Sequence, residues 1–257
     1  MIFENPDTCT IPRKVEAMKQ IKSAVEFRFS NERGHELLQS GQVYAAAGHF
    51  LGAAGEQTDI EQRVRALQMS GVCFRLVKQH EKAIEYLTQA KELLPSVSDI
   101  RLQSAVHRDL GAALNTLGLK KKSRELLGEA LKEFDTSMSI LKSALSSAGL
   151  TQDERDQLTA ERAATRGFLG LLLFEMNTRS GIDEIEEADN VLFKLGKPFE
   201  VYQLNNLVRR MRVSTFRNRC GLLQSALKLT SKDSQSPGSR KRVWVALLGN
   251  KVYRMFE

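Results

Sequence analysis

The chain has 257 residues, 42% of them hydrophobic and only 7% aromatic, with five prolines and a net charge of +7. That is enough to bury a large core, and so few prolines and aromatics suit an all-helical protein. Cys9, Cys73 and Cys220 are odd in number and far apart, so they read as free thiols in a reducing compartment rather than as a disulfide framework. The opening MIFENPDTCTIPRK has no long apolar region after a basic start, unlike a secretory signal, and the expected location is cytoplasmic.

Taken in chain order, Pro12 to Phe29 reads as a lead-in helix within residues 1–26 and just beyond. A faint helical hairpin follows, with Gly34, Leu37, Gly41, Ala46, Phe50 and Ala53 as its packing positions. Ala66 to Pro95 is the clearest segment. Leu67, Gly71, Phe74, Ala83, Leu87 and Ala90 fall at helical spacing on both sides of a short break, and Pro95 stands where a second helix must stop. Gly71 and Ala90 are expected where the two backbones cross closely. Ser104 to Asp135 repeats the pattern with His107, Leu110, Gly111, Leu114, Gly118, Ser123, Leu127 and Ala130, and Gly111 to Ala130 is its crossing.

Leu119 to Ala148 contains one glycine and no proline, and reads as a long helix ended by Gly149. Thr151 with Glu154 three residues on is a capping box, opening a helix to Thr178. Within it, Gly167 to Met176 is apolar on all sides but half the roughly 20 residues that a membrane span needs, so a buried helix is expected. Ile182 to Leu195 is the shorter partner, bounded by Gly181 and Gly196. Pro198 sits in the first turn of a last helical region running to about Leu229, with a break near Ser214. Residues 231–242, SKDSQSPGSRKR, read as a basic flexible linker. In 243–257, two β-rich runs flank Gly249-Asn250 as in a type II′ hairpin, with a helix as the competing reading.

The small and apolar residues of Ala66 to Pro95 and of its two copies resemble the tetratricopeptide repeat, a module whose stacked copies bind other proteins. The glycines recur at 37 and then 40 residues, longer than the standard 34, as in the long-repeat branch of that family. The match covers about residues 27–135; beyond that only the helical rhythm persists. The resemblance implies a right-handed α-solenoid over 27–230 and a non-catalytic scaffold that binds a peptide or protein segment on its concave surface. On that surface it places Arg28, Asn31 and His35 in the first copy, Arg65, Gln68 and Arg75 in the second, and Arg108 and Asn115 in the third. Arginine, asparagine and glutamine are suitable donors for a peptide's carbonyls and carboxylates. The clamp that holds chaperone C-termini is disfavoured, since Met69, Ala105 and Asp109 stand where it needs asparagine and cations.

The charge supports one alternative. From Lys197 to Glu257 there are thirteen Lys and Arg against three acids, while the remaining residues hold 25 against 28. Arg209, Arg210, Arg212, Arg217 and Arg219 could therefore form a basic helix face for nucleic acid. No catalytic, metal or cofactor motif is present: His35, His49, His80 and His107 lack metal-ligand spacing, and the SxxK at Ser139 to Lys142 lacks its companion motifs. An enzyme is not expected.

Overall fold

A computed structural model describes residues 31–56, 59–178, 180–196, 199, 202–203, 205–206 and 209. Among these residues the chain is α-helical, with no strand. Eight helices follow one another: α1, described over 31–39, α2 (Val43–Glu56), α3 (Ile60–Leu76), α4 (His80–Glu92), α5 (Ile100–Lys121), α6 (Arg124–Leu145), α7 (Gln152–Glu175) and α8 (Ser180–Leu195). Pro95 lies in a short 3₁₀ turn, Leu94–Ser96, after α4. The lead-in helix and the C-terminal hairpin or helix expected from the sequence fall outside the described residues.

The helices pair through one kind of turn used four times. Gly41, Lys78, Lys122 and Asn177 all take positive φ, between 53° and 83°. In each case that residue's N–H donates three residues back and the next residue's N–H donates five back. Gln42 reaches the Leu37 carbonyl, Gln79 reaches Phe74, Ser123 reaches Gly118 and Thr178 reaches Leu173, at 2.8 to 2.9 Å. This is the Schellman pattern, which satisfies the last carbonyls of the first helix while the chain reverses. Gln42, Gln79 and Ser123 then start the second helix, because their carbonyls accept its first N–H bond. The turns are 37, 44 and 55 residues apart, so successive hairpins lengthen.

Entry into each later hairpin is set by a side-chain cap. Asp59 Oδ1 accepts from the Glu61 and Gln62 amides, and Asp99 Oδ1 from those of Arg101 and Leu102. Thr151 and Glu154 form the expected capping box. Glu61 in the first turn of α3 also accepts from the Ser98 amide and hydroxyl and from the Asp99 amide. The start of α3 thus holds the cap of α5, and this fixes the two helices in parallel register.

Glycines place the two helices of each hairpin close together. A Cβ on Gly34 would meet the Phe50 ring at 2.8 Å, and one on Gly71 would meet Leu87 Cγ at 2.5 Å. Gly71 therefore packs under Leu87, one turn before the Ala90 expected from the sequence, because Leu87 reaches across the crossing. Gly111 does face Ala130, whose carbonyl oxygen lies 3.2 Å from the would-be Cβ, but Phe134 is nearer. Gly170 and Gly181 meet backbone to backbone, since a Cβ on Gly181 would lie 2.4 Å from the Phe174 nitrogen and 2.5 Å from the Gly170 oxygen. In three hairpins the close-packed glycine stands seven residues before the turn; in the third that place is Asn115, and Gly111 and Gly118 flank it.

The continuous helix expected from Leu119 to Ala148 is instead broken at Lys122, where the backbone turns left-handed and Ser123 caps α6 with its hydroxyl. Nothing in the composition marks that turn, because a lysine occupies a place that glycine usually takes. Besides each helix meeting its neighbours in sequence, α3 touches α5 and α5 touches α7. One buried cluster runs from Leu37, Ala46 and Phe50 through Phe74, Leu87, Leu110 and Phe134 to Leu172. A chain of fully buried hydroxyls, Ser104 to Ser137 to Thr165, spans α5, α6 and α7 at 3.1 and 3.3 Å.

Gly181→Ala is expected to force α7 and α8 apart and cost about 1–3 kcal/mol, since backbone and not a flexible side chain blocks the new methyl. Gly128→Ala meets nothing within 4 Å in the interior of α6 and is expected to stabilise by about 0.5–1 kcal/mol. Urea unfolding of the two variants against wild type checks both signs.

Candidate functional site

The first helices of the hairpins, α3, α5 and α7, carry a polar seam. Gln68 Nε2 on α3 donates to Asp109 Oδ2 on α5 at 2.8 Å. Arg108 donates from Nε to Asp109 Oδ1 at 3.4 Å and from a terminal nitrogen to Glu161 on α7. Tyr202, beyond α8, donates its hydroxyl to the other Glu161 oxygen. At the entry to the seam Arg65 pairs with Asp99, the cap of α5.

Burial opposes charge on Arg108, but Asp109 and Glu161 outweigh it and hold the guanidinium charged beyond its ordinary range. Burial, and then Glu161, push the Tyr202 hydroxyl above its ordinary pKa, so it stays a proton donor. The seam is thus a ladder of alternating charges that crosses three helices, each rung compensating the next.

The residues predicted from the sequence divide here. Arg65 is exposed, Gln68 and Arg75 are half-buried on the same row, Asn31 on α1 is half-buried, and His35 is exposed with its ring edge-on to Phe50 at 5.1 Å. Arg108 and Asn115 are not the open donors expected. The Arg108 side chain is only 13% exposed and engaged on both sides, and Asn115 is buried. The cause is packing: α7 lies against α5 and brings Glu161 to the place where a partner's carboxylate would have to enter. Replacing Arg108 by Glu would therefore set three carboxylates together instead of only clearing a groove.

Arg209 is also corrected. It is buried, with its guanidinium 3.7 Å from the centre of the Phe168 ring, so it supplies no surface cation to a basic stripe. The segment carrying it packs on α7 and α8, where Gln203 donates to the Leu192 carbonyl and Asn206 to that of Ile185. Arg28, Arg210, Arg212, Arg217 and Arg219 lie outside the described residues.

Behind the seam, α4, α5 and α6 bound a small cleft of about 250 Å³ floored by Leu110 and Leu114. Lys91 closes it against Glu133 at 2.5 Å, and His107 Nδ1 lies 2.6 Å from the other Glu133 oxygen. Cys73 is buried, and burial pushes its thiol up to about 12, so it is a packing residue and not a nucleophile at neutral pH. Among the described residues no group of three or more His, Cys, Asp or Glu is placed to hold a metal ion, and no helix is long and apolar enough to cross a membrane.

The seam was missed in the sequence because its members come from helices 41 and 53 residues apart. A scan against protein-family models gives no match, and no curated protein matches the chain.

Two measurements probe these charges. Arg108→Met leaves Asp109 and Glu161 buried without their cation and is expected to cost about 3 kcal/mol in urea unfolding. Burial raises the Glu133 carboxyl, but bonds from His107 and Lys91 outweigh it and hold the group below its ordinary value of 4.5. That contribution is complete above the unfolded value and is lost as pH falls through the folded one. Stability should therefore drop below about pH 4.5 with a shallower slope in Glu133→Gln than in wild type, as denaturation from pH 6 to 3 would show.

Proposed function

We propose that this protein is a non-catalytic scaffold built as a right-handed α-solenoid of long tetratricopeptide-like hairpins, and that it binds a peptide or protein segment along the row of α3 and α5. The observation that carries this reading is the fourfold reuse of one turn. Glycine, lysine, lysine and asparagine adopt the same left-handed conformation with the same pair of backbone bonds, and a close-packed glycine stands seven residues earlier in three of the four hairpins. Repetition of local geometry with dissimilar residues is what a repeat array produces, because each unit must bury its apolar side only against the next. Contacts of α3 with α5 and of α5 with α7 supply the second element, a shared row of first helices.

On that row Arg65, Gln68, Val72 and Thr116 are accessible in whole or in part. They offer a face of mixed polarity to an extended segment, with main-chain carbonyls and carboxylates as its natural acceptors.

Thr116→Trp adds bulk at the centre of this face and removes only a bond to the helix's own Ala112 carbonyl. It is expected to abolish binding to a peptide array that wild type recognises, with the melting temperature unchanged. Gln89→Trp, on the exposed side of α4, is expected to bind as wild type. Equal loss in both, or in neither, would remove the assignment of the face. A mobility shift of RNA or DNA at low salt, undiminished by Thr116→Trp, would favour the nucleic-acid alternative.

A further inference from the structure

The four hairpin turns do not carry the same charge. In the first and fourth, the left-handed place belongs to Gly41 and Asn177, residue types that accept it readily. In the second and third it belongs to Lys78 and Lys122, which take it at a cost. Residues 76–82 and 119–125, at these two turns, hold six Lys and Arg against Glu81 and Glu125. At the opposite ends of the helices, residues 59–63, 92–101 and 142–156 hold four against seven acids. Cations gather on one edge of the molecule and acids on the other.

The two basic turns adjoin. Lys121 Nζ, in the last turn of α5, lies 3.2 Å from Glu81 Oε1, in the first turn of α4. Lys78, Lys120, Lys122 and Arg124 are all exposed, and among the described residues none has a carboxylate at ion-pair distance. Helix ends do not call for so many cations, since α7 closes the same kind of turn with no basic residue in its last turn. The charge is felt beneath the surface: burial first, and then Lys120, lower the His80 pKa, and Arg75 and Lys78 add to it. Apolar surface stands beside the lysines. Leu76 is 50% exposed two residues before Lys78. Tyr44, in the first turn of α2, is 59% exposed and edge-on to Phe74, whose ring Lys82 Nζ also approaches, at 5.5 Å.

We propose that the edge formed by the second and third turns docks on an anionic lipid surface, with Lys78, Lys120, Lys122 and Arg124 among the headgroups and Leu76 and Tyr44 at the apolar boundary. A lysine is a compact charge on a flexible stem, which suits headgroups that keep no fixed geometry. Nucleic acid draws on arginine forks and stacking rings, whereas five of the six cations here are lysine. Leu76 has nothing to gain from a sugar-phosphate chain but buries apolar area at a lipid interface. The edge lies across the helix ends, while the row proposed for a peptide runs along the sides of α3 and α5. The two surfaces are separate, and the lipid contact does not rest on the scaffold reading.

The test is co-sedimentation of the full chain with vesicles of equal parts phosphatidylserine and phosphatidylcholine, and with vesicles of phosphatidylcholine alone. Binding is expected to the mixed vesicles only and should fall steeply with added salt. Lys78→Gly combined with Lys122→Gly is expected to melt no lower than wild type, because glycine takes the left-handed place freely. It is nevertheless expected to bind on the order of twentyfold more weakly, two cations being lost from the surface. Lys120→Gln with Arg124→Gln leaves the left-handed residues in place and is expected to lose as much. Arg63→Gln with Lys142→Gln removes the same charge from exposed positions at the opposite edge and is expected to bind as wild type. No binding to the mixed vesicles would overturn the proposal. So would an equal loss in all three pairs, which net charge alone explains, or no loss in the first two. A single-stranded oligonucleotide bound more tightly than the vesicles, and weakened by the first two pairs alone, would overturn lipid as the partner.

Discussion

The structure depends on the distance at which two helices of a hairpin can lie. That distance is set where a glycine leaves room for a side chain from the facing helix, as Gly34 does for Phe50 and Gly71 for Leu87. In the fourth hairpin Gly170 and Gly181 leave room for backbone on both sides. In three of the four hairpins that contact stands seven residues before the turn. The turn then needs a left-handed residue to bring the second helix back at once, and the array accepts even lysine there, a conformation that costs about 1–2 kcal/mol in isolation. The two backbone bonds of each turn offset part of that cost by satisfying carbonyls at the helix end.

The polar seam does a different job from the core. Buried ion pairs add little net stability against apolar residues of the same volume, but a pair broken by the wrong register is expensive. Arg108 paired with Glu161 therefore disfavours other alignments of α5 on α7, and Asp109 accepting from Gln68 does so for α5 on α3. The Glu61 bonds to Ser98 and Asp99 do the same at the other end of α3.

The sequence was legible where a residue type has one physical use. The Thr151–Glu154 box and the small residues at Gly34, Gly71, Gly111, Ala90 and Ala130 fall in helices close to the expected ones. It was illegible where a residue type acts outside its preference. Lys122 ends α5 in a place that a lysine does not announce, so the second helix was expected from Leu119 instead of Arg124. Gly170 matches the earlier glycines in its distance from the turn, but the preceding hairpin is longer, and a fixed repeat length steps past it. Arg108 and Asn115 sit at positions where an amphipathic pattern puts solvent, and only the approach of α7 and the hairpin's own packing bury them. A helix pattern records one face at a time, whereas burial here is decided by a third helix.

On the scaffold reading proposed above, unequal hairpins have a consequence for recognition. In an array of identical units the same side chains recur at each step, and a bound segment can slide by one repeat. Here α3, α5 and α7 have 17, 22 and 24 residues. The row consequently offers Arg65 and Gln68 at one step, a buried Arg108 and Asp109 with an accessible Thr116 at the next, and Glu161 under Tyr202 at the third. No step repeats the one before it. Tyr202 also ends the alternation of charge: burial and Glu161 hold its hydroxyl neutral, so the last rung is a donor without a charge.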